Sequence, residues 1–190
     1  MHHTPDERWR TIVMRRLVLL GVVMAVVLSG CGSGGDRTGP TGDTGPSGAA
    51  GPGAGGSLLA FSGTTIDGKP FDGKSLAGKP AVLWFWAPWC PVCLQQAPGV
   101  RAAVEQYGDR VTIVGVAGLD KAAAMPEFVR LAKVESITNL SDEAGAVWKH
   151  FGITSQSTFV LLDAAGQPTG RGVLSADQVP GKVKELLDAP

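Results

Sequence analysis

Apolar and polar positions follow different periods along the chain, and each period predicts an element. Residues 81–86, AVLWFW, form a continuous apolar run between Gly78-Lys79-Pro80 and Pro88, the pattern of a central strand buried on both faces. Residues 111–117 and 158–162 read as further strands, and Asp163-Ala164-Ala165-Gly166 turns the latter into a partner near 170–174. Short alternating segments over 58–72 flank Asp67-Gly68, a hairpin turn signal. Helical stretches are predicted from just after Cys90 to about Tyr107, where Gly108-Asp109 stops it, and over 142–151, ended by Gly152. A third covers 121–133, where Pro126 must kink the helix or mark its true start. A last helix, 179–187, has its opening blurred by Pro180-Gly181. The order hairpin, β, α, β, α, α, β, β, α implies an α/β domain over residues 57–190, a central mixed β-sheet flanked by helices.

The first 56 residues follow other rules. Arg15 and Arg16 precede twelve apolar residues, 17–28, and then Ser29, Gly30 and Cys31. A basic start, an apolar centre and small residues before a cut describe a signal peptide over 1–30. Twelve helical residues reach about 18 Å, too short for a bilayer core of about 30 Å. Met14 leaves residues 1–13 open to being an over-extended start. Leu28-Ser29-Gly30-Cys31 resembles the bacterial lipobox, which implies lipid attachment at Cys31 and a membrane anchor; ordinary cleavage nearby would leave Cys31 a spare thiol. Residues 39–53 are five Gly-X-Y triplets. They are too few to sustain a collagen trimer alone, so 31–56 reads as a lipid-attachment cysteine and flexible tether.

Charge is balanced, 17 basic against 17 acidic residues, with no basic block, so nucleic acid is not an expected partner. Removing residues 1–30 takes away Asp6, Glu7, Arg8, Arg10, Arg15 and Arg16 and leaves two more acids than bases. Nothing then favours lying flat on anionic lipid.

The chemistry concentrates at Trp89-Cys90-Pro91-Val92-Cys93, between a buried strand and a helix. A thiol at a helix N-terminus faces unpaired N–H groups and the positive end of the dipole. Both favour thiolate, so the Cys90 pKa is expected below the roughly 8.5 of a free thiol. Pro91 forgoes an N–H with no partner there. Cys93, one turn inward, is placed to resolve a mixed disulfide on the exposed sulfur of Cys90. A structural disulfide competes with this redox reading, but so short a loop gains only about 2 kcal/mol. Zinc would need about four ligands, and His150 is the one histidine after residue 30. No metal or other cofactor is called for. Trp84 and Trp86 read as core, Trp89 as the rim of the site, and His150 as a surface residue.

Residues 85–93, FWAPWCPVC, closely resemble the active-site segment of the thioredoxin superfamily. Asp67-Gly68-Lys69, Gly78-Lys79-Pro80 and Pro98 are similar to the extracytoplasmic TlpA/ResA/DsbE branch; residues 115–120 and 147–154 narrow this to its secreted DsbE and lipoprotein DsbF members. The resemblance implies a thioredoxin-like fold and disulfide exchange through Cys90 and Cys93. It also implies exported cysteine-containing proteins as substrates and a DsbB-like or VKOR-like membrane partner for re-oxidation. Trp89, Pro91 and Val92, with the loop Gln156, Ser157 and Thr158, would support the site.

Three departures from the family pattern matter. Ser157 stands where many members carry a cis-proline, and a cis bond before a non-proline costs about 2.5–4 kcal/mol; the loop is then trans, or cis under strain. Either way substrate docking is put in doubt, and the sulfurs are opened to a metal or cluster bridging two chains. Trp84 replaces the aspartate that cytoplasmic thioredoxins bury beneath the resolving cysteine, and Gln96 replaces a glutamate of reductive relatives. With neither base, oxidation or isomerisation is expected ahead of reduction. A dedicated reductant for apocytochrome c or a metallochaperone, and a lipid-anchored binding module without turnover, are the rival readings. Peroxidase chemistry is weaker still, since a CxxC stands where it would need a lone cysteine beside threonine and arginine.

Overall fold

The computed structural model describes residues 57–189; the expectations for the signal peptide, Cys31 and the tether fall outside them. Strands β1 (Ser62–Thr64) and β2 (Pro70–Asp72) pair antiparallel as the expected N-terminal hairpin. Gly68, at φ 85°, supplies the backbone conformation the turn requires. The main sheet contains β3 (Ala81–Trp86), β4 (Thr112–Ala117), β5 (Thr138–Ser141), β6 (Thr158–Leu162) and β7 (Pro168–Val173), in the order β5-β4-β3-β6-β7. β3 to β5 run parallel, and β6 and β7 run antiparallel to their neighbours. The sheet is therefore mixed, as the order of elements implied.

Every residue of β3 is buried, and its alternation sends side chains into two separate cores. Val82, Trp84 and Trp86 pack with Ala97, Val100 and Phe128. They lie toward α1 (Pro91–Tyr107), α2 (Met125–Ala132) and α4 (Gln178–Asp188). Leu83 and Phe85 face the other way, against Phe61, Leu76 and the helix α3 (Ala146–His150) with its Val147 and Trp148. The sequence reading of Trp84 and Trp86 as core holds.

Four expectations need adjustment. β5 was not predicted: Thr138-Asn139-Leu140-Ser141 is a short, polar edge strand, identified by its pairing with β4 rather than by its own pattern. Pro126 marks a start, not a kink, because it sits in the first turn of α2 after a 3-10 turn at Ala122–Ala124. The helix predicted over 142–151 shrinks to α3, since Asp142 forms a turn whose carboxylate accepts the Trp148 N–H at 2.8 Å and Gly145 adopts φ 70°. His150 is not a plain surface residue: its ring Nε2 lies 2.9 Å from the Leu58 carbonyl and it packs on Phe61 and Phe151. It fastens the start of the domain to α3. Among the described residues no helix is long and apolar enough to cross a membrane.

Candidate active site

β3 ends at Trp86, and Ala87-Pro88-Trp89 carries the chain to Cys90, the N-cap of α1. Cys90 keeps an extended backbone, φ −86° and ψ 107°, and its Sγ accepts the Cys93 N–H at 3.0 Å. The sulfur thus takes the place that a serine or aspartate oxygen fills at an ordinary N-cap. Pro91 opens the helix without an orphan donor. Cys90 and Cys93 form a disulfide, their Cα atoms 5.3 Å apart. Cys93 is fully buried. Cys90 was expected to be the exposed sulfur, yet it is only 4% exposed in this oxidised state. It is bonded to a buried partner and tucked against the first turn of α1. Exposure passes to its neighbours, Trp89 at 52% and Val92 at 46%.

Trp89, next to Cys90, is exposed, and its indole N–H donates to the Leu119 carbonyl at 3.2 Å. Leu119 is itself exposed and has φ 60°, a left-handed conformation that a non-glycine residue adopts at a cost. Ser157, 4% exposed, is another such residue at φ 54°, Lys133 at the end of α2 being the third among the described residues. Among the described residues no peptide bond is cis, so the loop at Ser157 takes the trans form of the two that its sequence left open. A left-handed residue persists where its surroundings over-determine it. Here the Gln96 amide donates to the Ser157 carbonyl at 3.2 Å, Thr158 Oγ1 donates to the Ser155 carbonyl at 3.0 Å, and Thr158 pairs with Phe85 in the sheet. Gln156 and Thr158 are half-buried beside it.

Gln96 is the residue whose role the sequence concealed. It figured there only as a missing carboxylate. In the fold it is 1% exposed: Oε1 accepts the Trp84 indole N–H at 2.9 Å, and Nε2 donates to the carbonyls of Ser157 and Leu174, the latter at 2.7 Å. A signal was present, since Gln96 is a polar side chain on the buried helical face that runs from Cys93 to Val100. The hydrogen-bond partners of Cys90, Trp84 and Gln96 are all backbone groups or uncharged side chains. Arg101 and Arg171 donate to the carbonyls of Ala132, Phe151 and Gly152. No cluster of three or more His, Cys, Asp or Glu suited to a metal occurs among the described residues.

A two-electron couple follows from this arrangement. N–H donors at the start of α1 favour thiolate on Cys90, and Cys93 lies within bonding reach to close the disulfide again. A mixed five-stranded sheet carrying a CxxC disulfide at the N-terminus of its first long helix defines the thioredoxin-like thiol–disulfide oxidoreductases. The chain belongs to the AhpC/TSA family, whose profile matches residues 54–169. It is 41% identical over 132 residues to the soluble secreted antigen MPT53 of Mycobacterium tuberculosis, covering 67% of this chain and 75% of that one. The solved structure of MTB dsbF in mixed oxidized and reduced forms is 46% identical, with a TM-score of 0.65 over 69% of this chain and 98% of the other. A secreted M. tuberculosis disulfide oxidoreductase homologous to E. coli DsbE is 40% identical, with a TM-score of 0.62 over 68% and 98% of the two chains. With ResA of Bacillus thuringiensis at 26% identity over 108 residues, these place the chain in the TlpA/ResA/DsbE branch near DsbF. It is an oxidoreductase of thioredoxin-like type.

Proposed function

We propose that this chain exchanges disulfides with exported cysteine-containing proteins, as an oxidase or isomerase, through Cys90 and Cys93. The observation that carries the reading is the Cys90 sulfur at the α1 N-cap, accepting the Cys93 N–H in uncharged surroundings. A substrate thiolate attacks Cys90 Sγ, the Cys90–Cys93 bond breaks, and Cys93 leaves as a thiolate that takes up a proton. A second substrate thiolate then attacks the mixed disulfide and releases Cys90. Two electrons pass from the substrate dithiol to the protein, one proton ends on Cys93 and the other is released to solvent while Cys90 stays a thiolate, and a DsbB-like or VKOR-like membrane oxidant returns the pair to the disulfide. Trp89, Pro91 and Val92 border the reacting sulfur, and the Gln156-Ser157-Thr158 loop supports the docked polypeptide.

Residues 1–30 act in this reading as an export signal, Cys31 carries the lipid that holds the protein at the outer face of the cell membrane, and 31–56 tether the 57–190 domain. The lipobox-like Leu28-Ser29-Gly30-Cys31 and the secreted relatives support it. The test is the reduction potential of the pair, taken with oxidation of a reduced, unfolded two-cysteine protein. A potential closer to about −120 mV than to about −270 mV is expected, as is loss of oxidation in Cys90→Ser. A value at or below the lower figure makes the protein a reductant, and unchanged activity in Cys90→Ser refutes the redox role.

A further inference from the structure

We infer that Gln96 is a positioning residue for exchange with polypeptides: its uncharged amide ties the helix bearing Cys93 to Ser157 and holds the 154–158 loop in its left-handed turn. This rests on the proposed function, in which that loop meets the substrate.

Gln96 follows Cys93 by three residues, so it lies on the same buried face one turn along α1. It joins three separate parts of the fold: Trp84 of β3, Ser157 before β6, and Leu174 just after β7. The oxygen is used once and the NH2 twice, which exhausts both donors of the side chain. Without the amide, the Ser157 carbonyl and the Trp84 indole N–H would lose a buried partner, and the half-buried Leu174 carbonyl would lose its side-chain donor. Ser157 would also lose the bond that holds its carbonyl while its backbone sits at φ 54°. The chemistry at this position is narrowly defined. A lysine accepts nothing from Trp84, and a carboxylate donates nothing to Ser157 or Leu174. Only an amide offers an acceptor to the indole and two donors to the carbonyls without a charge beside the sulfurs.

Gln96→Glu in the full-length protein removes the donors, and comparison with a small dithiol cancels the effect of the new charge on the sulfurs themselves. The new side chain keeps an acceptor for Trp84 and, while protonated, one donor; once ionised it turns negative oxygens toward two carbonyls. The readout is the rate with a reduced polypeptide divided by the rate with dithiothreitol, each relative to wild type at the same pH, since dithiothreitol needs only the sulfurs. As the carboxyl ionises, the ratio is expected to fall about tenfold, the scale of one buried hydrogen bond, and to recover on acidification. Ser157→Gly added to that variant returns part of the loss, because glycine holds a positive φ unaided. A ratio equal to wild type at every pH overturns the inference. So does a parallel fall with both substrates, or no recovery from Ser157→Gly. A wild type that exchanges with dithiothreitol but with no polypeptide overturns the underlying functional reading, and this one with it.

Discussion

Gly99 sits on the same face of α1 as Gln96, and an added methyl there has nowhere to go. A Cβ at this position falls 2.1 Å from the carbonyl oxygen of Ala176 and 2.7 Å from its carbonyl carbon. Both are backbone atoms, so no side-chain rotation relieves the contact. Ordinary contact begins near 3.4 Å, and α1 and the segment entering α4 must separate by more than 1 Å. Alanine in a helix interior is worth about 1 kcal/mol over glycine, whereas overpacking costs about 1–3 kcal/mol. A backbone clash of this depth belongs at the upper end, leaving a net loss of about 2 kcal/mol. At about 3–4 °C per kcal/mol for a domain of this size, Gly99→Ala is expected to lower Tm by about 7 °C. Gly181→Ala is the control: Gly181 is also helical, in α4, but an added Cβ meets nothing within 4 Å. There the helix preference acts alone, and Tm should rise by up to about 3 °C. Thermal unfolding of the oxidised proteins, with urea midpoints as a second measure, decides the matter. A drop below about 2 °C for Gly99→Ala, or a rise matching Gly181→Ala, refutes the close approach of α1 to Ala176.

Cys93→Ser removes the sulfur that resolves Cys90, so its Cys90 thiolate should attack a disulfide-bonded polypeptide, expel one substrate thiolate and stay trapped as a mixed disulfide, read by non-reducing electrophoresis; a failure to trap any adduct contradicts Cys90 as the exchanging sulfur. Trp89→Phe removes the N–H that Leu119 accepts while keeping an apolar rim; being exposed, it should shift stability by no more than about 0.5 kcal/mol yet raise KM for polypeptides a few-fold, as measured by stopped-flow exchange. Glu143 is held below the usual carboxylate range, first by the Ala122 N–H and then by Lys121. Because its folded value is depressed, the contact is in place above the ordinary value of 4.5 and is lost as pH falls through the lower folded value. The hydrogen-exchange protection factor of the Ala122 amide should therefore fall on acidification in wild type and stay level in Glu143→Gln, whose amide oxygen accepts at any pH.

Much of the sheet was legible because burial writes itself into sequence. β3, β4 and β6 are continuous apolar runs, and a strand covered on both faces has no polar position to alternate with. β5 has no such pattern; only Asn139 and Leu140 are buried, and its place comes from hydrogen bonds to β4 that no local residue announces. The redox pair was equally plain, since two cysteines three apart at a strand-to-helix junction carry their own geometry. Its supports were not. Gln96 reaches partners 12, 61 and 78 residues away, and Trp89 reaches Leu119 across 30. Ser157 could be singled out as a non-proline, but its left-handed backbone is set by long-range contacts that one sequence does not display.

Those supports bear on the direction of electron flow. Closing a four-residue loop favours any CxxC disulfide by about 2 kcal/mol, so differences among such pairs come from how the reduced state is held. At Cys90 the hydrogen bond from the Cys93 N–H belongs to a sulfur that becomes negative on reduction. A bond to a charged group is worth about 1.5–3 kcal/mol, or about 30–65 mV toward a more oxidising pair. A carboxylate next to the pair would work the other way, repelling the Cys90 thiolate and drawing the proton from Cys93. Trp84 and Gln96 occupy the two positions where the family resemblance leads one to expect such groups, and they are bonded to each other. With both side chains neutral, the N–H donor at the start of α1 acts on Cys90 without an opposing carboxylate from either position, which supports the oxidising direction proposed above.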